Sequence, residues 1–192
     1  MKAIAICGSP RANGNTELLL TRCLGRIAEQ GIDTELIRLH GKSIKGCKAC
    51  GVCRQRQDGK CAIADDDFGP IFEAMKNADI IVVGSPVYFG SAVPEMMALL
   101  DRAGYVSRSN GNGYFSRKIG GPLVVARRAG HNFTFAQLLY WFMINDMVVP
   151  GSSYWNVAFG REAGEVANDA EGLATVERFG ENLAWLARKL VG

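Results

Sequence analysis

What the sequence lacks narrows it first. It has no run of about 20 apolar residues, the length a bilayer-spanning helix needs. The longest candidate, residues 80–94, is broken by Gly84, Ser85, Pro86, Gly90 and Ser91. The apolar start MKAIAIC gives way at once to GSPRANGN, too soon for the apolar centre of a secretory leader. There is no run of five like charges and no basic stripe, and the net charge is only +3, which argues against a nucleic-acid partner. No internal repeat or low-complexity linker divides the 192 residues. No G-x-G-x-x-G is present, because GNGYFS at Gly111 lacks the third glycine and follows no first strand. These absences lead to the expectation of a cytoplasmic protein with neither membrane nor nucleic acid as partner. In that compartment thiols stay reduced, and the glycosylation-like triplet at Asn132 carries no meaning.

What is present alternates. With 48% apolar and 21% charged residues, the chain suits one domain with a full core over residues 1–192. KAIAIC reads as a first strand. NTELLLTRCLGRIAEQG has apolar residues at helical spacing, started by Asn15 or Thr16 and stopped by Gly31. IDTELIRLH alternates apolar and polar residues, as a strand near a sheet edge does. DDDFGPIFEAMKNA is expected to be a helix with an aspartate cap. DIIVVGSP is β-branched and continuous, like a strand buried on both faces, and VPEMMALLDRAG is a helix opened by Pro94. GGPLVVARRAG supplies a fourth strand, FTFAQLLYWFMINDM an apolar helix, VVPGSSYW a fifth strand, and DAEGLATVERFGENLAWLARKLVG a closing amphipathic helix. Strands separated by helices imply a parallel sheet covered on both faces. The expected fold is therefore an α/β three-layer sandwich with a five-stranded sheet in the flavodoxin-like order 2-1-3-4-5, its ligand at the carboxyl ends of strands one and three.

Two loops fall at that point. GSPRANGNTELL, from Gly8, runs straight from a strand into a helix, so several backbone N–H groups can aim at one anion. Ser9, Asn13, Asn15 and Thr16 add side-chain donors and Arg11 adds charge, but no Gly-Lys-Ser/Thr ends the loop as in a Walker motif. SPVYFGSAVP follows the third strand and brings Tyr88 and Phe89 beside the first loop, where a flat aromatic ligand can stack.

Between them lies GCKACGVCRQRQDGKC, residues 46–61, with four of the six cysteines. C-x₂-C-x₂-C wraps three thiolates around one corner of an iron–sulfur cluster, and Gly59 permits the reversal that brings in a fourth. Cys47, Cys50, Cys53 and Cys61 therefore read as ligands of a [4Fe–4S] cluster. A structural zinc, a redox-sensing thiol pair and an empty reduced loop are open alternatives. Cys7 and Cys23 belong to the core by their strand and helix positions.

The two loops resemble the flavin-binding loops of the NADPH-dependent FMN reductase family, and with the cysteine run the chain is most similar to its iron–sulfur flavoprotein branch. The likeness runs over nearly the whole chain. It implies that Ser9, Arg11, Asn13, Gly14, Asn15 and Thr16 hold the FMN phosphate. It implies that Pro86, Val87, Tyr88, Phe89 and Gly90 line the isoalloxazine, with a third contact from RRAGHN around Arg127 and His131. It further implies a homodimer or homotetramer with FMN near the interface, suggested also by the apolar excess of FTFAQLLYWFMINDMVVPGSSYW. The expected activity is electron transfer between FMN, the cluster and a ferredoxin-like carrier or small-molecule redox substrate, with NAD(P)H as a possible donor. The alternatives are an NAD(P)H-dependent FMN or quinone reductase without a cluster, and a non-enzymatic flavodoxin-like carrier. Carriers of that type are strongly acidic, and this chain is not.

Overall fold

The computed structural model describes residues 1–191; Gly192, the last residue of the expected closing helix, lies outside them. The described elements are β1 (Lys2–Cys7), α1 (Asn15–Ala28), β2 (Asp33–Arg38), α2 (Val52–Arg56), α3 (Phe68–Asn77), β3 (Ile80–Pro86), α4 (Pro94–Ser109), β4 (Ile119–Ala126), α5 (His131–Ile144), β5 (Val157–Phe159), a 3₁₀ turn (Glu165–Asn168) and α6 (Ala170–Val191). All neighbouring strands pair parallel, in the order β2-β1-β3-β4-β5. This is the expected flavodoxin-like sandwich.

Strand alternation separates two cores. Ile4, Ile6, Ile81, Val83 and Val124 project into a cluster with α3, α4 and α5. Ala3, Ala5, Cys7, Ile80, Val82, Leu123 and Val125 project the other way, against α1 and α6. The second face is lined by smaller residues, so α1 lies close to the sheet. At Gly84 a Cβ would meet Leu20 Cδ1 at 2.7 Å, so a side chain there would displace α1. Because β1 and β3 are covered on both sides, they read as unbroken apolar runs. β2, at the edge, is mostly exposed.

One expectation is corrected. The fifth strand is Val157–Phe159, not VVPGSSYW. Of that earlier segment Val148 bonds to the sheet, through an isolated bridge to Ile119. Pro150 lacks the N–H a ladder needs, and Ser152 turns away to donate to the Thr175 carbonyl at 2.6 Å. The aspartate cap of α3 is displaced by one residue: Asp66 Oδ1 accepts the N–H of Phe68, the first helical residue, at 3.3 Å. Asp67 sits at the cap position but makes no side-chain cap bond; its Oδ2 accepts the Ser43 N–H at 2.7 Å instead.

α5 is apolar all round. Leu138, Trp141 and Phe142 face inward, while Phe133, Tyr140, Met143 and Ile144 are all more than 60% exposed. Among the described residues no helix is long and apolar enough to cross a membrane.

Candidate functional site

At the carboxyl ends of β1, β3 and β4 lies an open cleft of about 360 Å³, within the size range of small-molecule sites. One wall is the strand-to-helix loop. The Gly8 N–H donates to the Gly84 carbonyl at 2.8 Å, which fixes where the loop leaves the sheet. Ser9 Oγ accepts the Arg11 N–H at 3.1 Å and closes a tight turn. Glu17 then locks the far side: Oε2 accepts the Asn13 N–H at 3.1 Å and Oε1 accepts from Arg38 at 2.7 Å. The Arg38 guanidinium, with the Asn13 N–H, holds the Glu17 carboxyl below the usual carboxylate range against the opposing effect of burial. Gly14 is the N-cap of α1 and no side chain caps the helix. The first-turn N–H groups, at the positive end of the helix dipole, are thus free to bind an anion. Arg11 and Thr16 stand beside them in the cleft wall.

The opposite wall is the loop after β3. Tyr88 and Ser91 exchange backbone hydrogen bonds at 2.9 and 3.0 Å, leaving Phe89 and Gly90 at the tip with φ of 51° and 78°. This is a two-residue turn of the kind that favours Asn-Gly or Gly-Gly. α5 braces it, since Gln137 Oε1 accepts the Ala92 N–H at 2.9 Å and the Ser91 hydroxyl at 3.1 Å.

Of the residues named from the sequence for the cofactor, Ser9, Arg11, Gly14, Asn15, Thr16, Pro86, Val87 and Tyr88 line this one cleft. Asn13, Phe89 and Gly90 do not: Asn13 serves the turn below the loop, and Phe89 projects fully into solvent. The Asn15 side chain is spent on the fold. Its Nδ2 donates to the Glu162 carbonyl at 2.8 Å and its Oδ1 accepts the Val166 N–H. Arg127 lines the cleft as well, whereas His131 packs edge-on against Phe159, with centroids 5.1 Å apart.

The floor that sequence reasoning missed is the loop after β5: Gly160, Arg161, Glu162 and Ala163. Glu165 Oε2 gathers the Arg161 and Glu162 N–H groups at 2.7 and 3.0 Å. Gly160 is required by close approach, because a Cβ there would lie 2.7 Å from both Asn15 Nδ2 and Val166 N. A glycine followed by the Arg-Glu pair just beyond a final strand was the available signal. Arg11, Arg127 and Arg161 make the cleft positive against the single lining acid Glu162. An uncapped helix end, arginines and a flat aromatic wall suit a ligand with an anionic tail and a planar ring.

The four clustered cysteines line a second hollow, with no lining residue in common with the cleft. It lies between residues 47–63 and the α4 residues Arg102, Tyr105 and Val106. α2, Val52–Arg56, places Cys53 on its first turn. Cys47 and Cys50 are exposed, Cys53 and Cys61 half-buried, and no disulfide joins them. Among the described residues, no three thiols are drawn close enough to grip one metal ion. A four-iron cube holds its thiolates farther apart than a single zinc does, so four soft donors around one hollow fit the cube better by chemistry. The hollow is small, about 20 Å³, and its outer wall is coil. Cys7 and Cys23 are different. Burial pushes their thiols up to about 11 and about 12, which keeps them protonated and unreactive.

Comparison with known proteins agrees with this arrangement. Residues 1–162 match the family described as NADPH-dependent FMN reductase. An iron–sulfur flavoprotein of Methanocaldococcus jannaschii is 40% identical, covering 96% of this chain and 96% of its own. One from Methanosarcina thermophila is 33% identical, covering 95% and 93%. Among solved structures, RosB bound to 8-demethyl-8-formylriboflavin-5'-phosphate superposes with a TM-score of 0.78 at 20% identity, over 100% of this chain and 80% of its own. An archaeal flavodoxin superposes with a TM-score of 0.65 at 17% identity, over 98% and 99%. At those identities the structural likeness establishes the fold. The sequence matches establish the rest: the chain belongs to the NADPH-dependent FMN reductase family, in its iron–sulfur flavoprotein branch, and is a flavin-dependent oxidoreductase.

Proposed function

We propose that this chain is an iron–sulfur flavoprotein that binds FMN in the cleft and a [4Fe–4S] cluster on Cys47, Cys50, Cys53 and Cys61, and passes electrons to or from a one-electron carrier. The observation that carries the reading is the convergence of these four thiols, from a coil and a short helix, on one hollow in a chain that also has a flavin cleft. Together the two groups supply conversion between a hydride's electron pair and single electrons.

The chain's own residues do the holding and steering. The first-turn N–H groups of α1, with Arg11 and the Thr16 hydroxyl, bind the phosphate, and the Ser9 turn keeps that loop in place. Pro86, Val87 and Tyr88 back one face of the ring. Tyr88 is 41% exposed, so the cleft mouth can admit a reduced nicotinamide, with Arg127 at its rim for a phosphate. Around the cysteines, Lys48, Arg54, Arg56 and Lys60 have no ion-pair partner among the described residues, whereas Lys42 and Lys45 pair with Asp67 and Asp65. A cationic rim of this kind attracts an acidic partner such as a ferredoxin-like carrier. The exposed stripe Phe133, Tyr140 and Ile144 on α5 supports assembly into a dimer or tetramer beside the cleft.

The test is purification without oxygen, followed by the visible spectrum and assays of iron, sulfide and zinc. Flavin bands with a broad shoulder and about four irons per chain are expected. Flavin bands with neither iron nor sulfide would overturn the cluster and leave an NAD(P)H-dependent FMN or quinone reductase. That second reading draws on the exposure of Cys47 and Cys50.

A further inference from the structure

One buried side chain ties both ends of the cysteine segment to α4. Arg102 lies on the buried face of α4, and its side chain and that of its partner Asp66 are both 0% exposed. A guanidinium has five N–H bonds in a rigid fork. Here NH1 donates to the Lys45 carbonyl at 3.1 Å and to Asp66 Oδ2; NH2 donates to the Ile63 carbonyl at 2.7 Å and to Asp66 Oδ1 at 3.3 Å. Lys45 and Ile63 flank the cysteine run, so one group clamps both of its ends. The Phe68 ring, 4.0 Å from the guanidinium carbon, covers one face. Four of the five N–H bonds are thereby used. The fifth, Nε–H, is buried and has no hydrogen-bond partner. An orphaned donor at this depth is costly, and Arg102 is itself a wall of the hollow that Cys61 lines.

We propose that Arg102 is a positioning residue of the cysteine site: its spare Nε–H is directed at the Cys61 sulfur, and donates to it once that sulfur carries ligand charge. The inference deepens the cluster reading and rests on it for the electronic consequence, not for the contact. A hydrogen bond to a ligand sulfur removes negative charge from it and makes the site easier to reduce. Asp66 neutralises most of the guanidinium charge, so the directed N–H, rather than the net charge, does the tuning.

Two experiments on the full chain test this. In protein reconstituted with iron and sulfide, Arg102→Lys keeps the charge and loses Nε–H. The expected result is an EPR-monitored titration in which the reduced-to-oxidised ratio at fixed potential falls about tenfold, 59 mV for one electron. An unchanged potential would overturn the proposal. In cluster-free reduced protein, the ¹⁵Nε–¹Hε NMR signal of Arg102 is expected to shift with Cys61→Ala and not with Cys50→Ala. Indifference to Cys61→Ala would overturn the contact even where Arg102→Lys fails to load iron. A purified chain without iron or sulfide refutes the cluster reading alone, because the NMR experiment still decides the Arg102 contact.

Discussion

The cleft and the hollow are built by opposite means. The cleft is made of strand ends: β1, β3 and β4 leave the sheet in register, Cys7 beside Gly84 and Pro86 beside Val125, and each loop is pinned within a few residues of its strand. The hollow is made of coil, residues 46–51 and 57–63 around one short helix, held to α4 by the Arg102 guanidinium and by a Cys53 Sγ–Ser109 Oγ contact at 3.5 Å. A phosphate and a flat ring are rigid ligands, and a rigid frame suits them. A cluster supplies its own geometry and can impose it on a pliable loop. Cutting one device should therefore leave the other intact, and that separation is open to test.

The largest effect is expected at Asp66. Asp66→Ala leaves Arg102 buried and unpaired, and removing one partner of a buried ion pair costs about 3–5 kcal/mol. Burial alone would raise the Asp66 carboxyl; the bonds from Arg102 and from the Lys45 and Phe68 N–H groups hold it below its usual range. Denaturant unfolding should show the loss, and iron content should fall further than flavin content. An equal fall in both would mean that the two regions are one cooperative unit. Gly160→Ala sharpens the comparison from the other side. Its new methyl meets Asn15 and the Val166 N–H, so α1 or the 160–163 loop must move, at a cost of about 1–3 kcal/mol. FMN affinity should drop while iron per chain stays constant.

The two regions were also unequally legible in the sequence. β1, β3 and β4 announce themselves because strands buried on both faces are continuously apolar, and the glycine and serine after β1 and β3 mark the loops that form the cleft. The 160–163 floor was hidden because its strand is three residues long and pairs only with the end of β4. No local pattern survives at that length, and its tie to the cleft is Asn15, nearly 150 residues away. The cysteines were legible by spacing alone. Arg102 was not, although a signal existed: it sits three residues after Leu99 and four before Val106, on the apolar stripe of α4, where an unpaired arginine has no place. Its partner Asp66 lies in the DDD run that reads as the start of a helix.

A smaller effect concerns acid. Glu17 has a folded pKa below its ordinary 4.5, so its contribution is complete above about pH 4.5 and is lost as pH falls through the lower folded value. Below that range the Asn13 and Arg38 bonds release the phosphate loop. Glu17→Gln should flatten the acid limb of the stability curve and weaken FMN binding at neutral pH. A mutant with the same acid limb as the parent would place the transition elsewhere, for example at Asp66 or Glu165, whose carboxyls are also held low.

The smallest effect is expected at the rim of the cleft. Phe89 holds φ of 51° in a two-residue turn with its ring fully in solvent, and neither fact favours phenylalanine. Asparagine tolerates that backbone better, so Phe89→Asn should stabilise the monomer by about 0.5 kcal/mol, seen as a slightly raised unfolding midpoint. A ring that costs the fold stability and lies in solvent is open to contact from outside the monomer. Sedimentation of the parent and the variant tests the proposed assembly: self-association of the parent that weakens in the variant at unchanged FMN affinity would assign the ring to an interface between copies. Association equal to the parent's would remove Phe89 from any such interface.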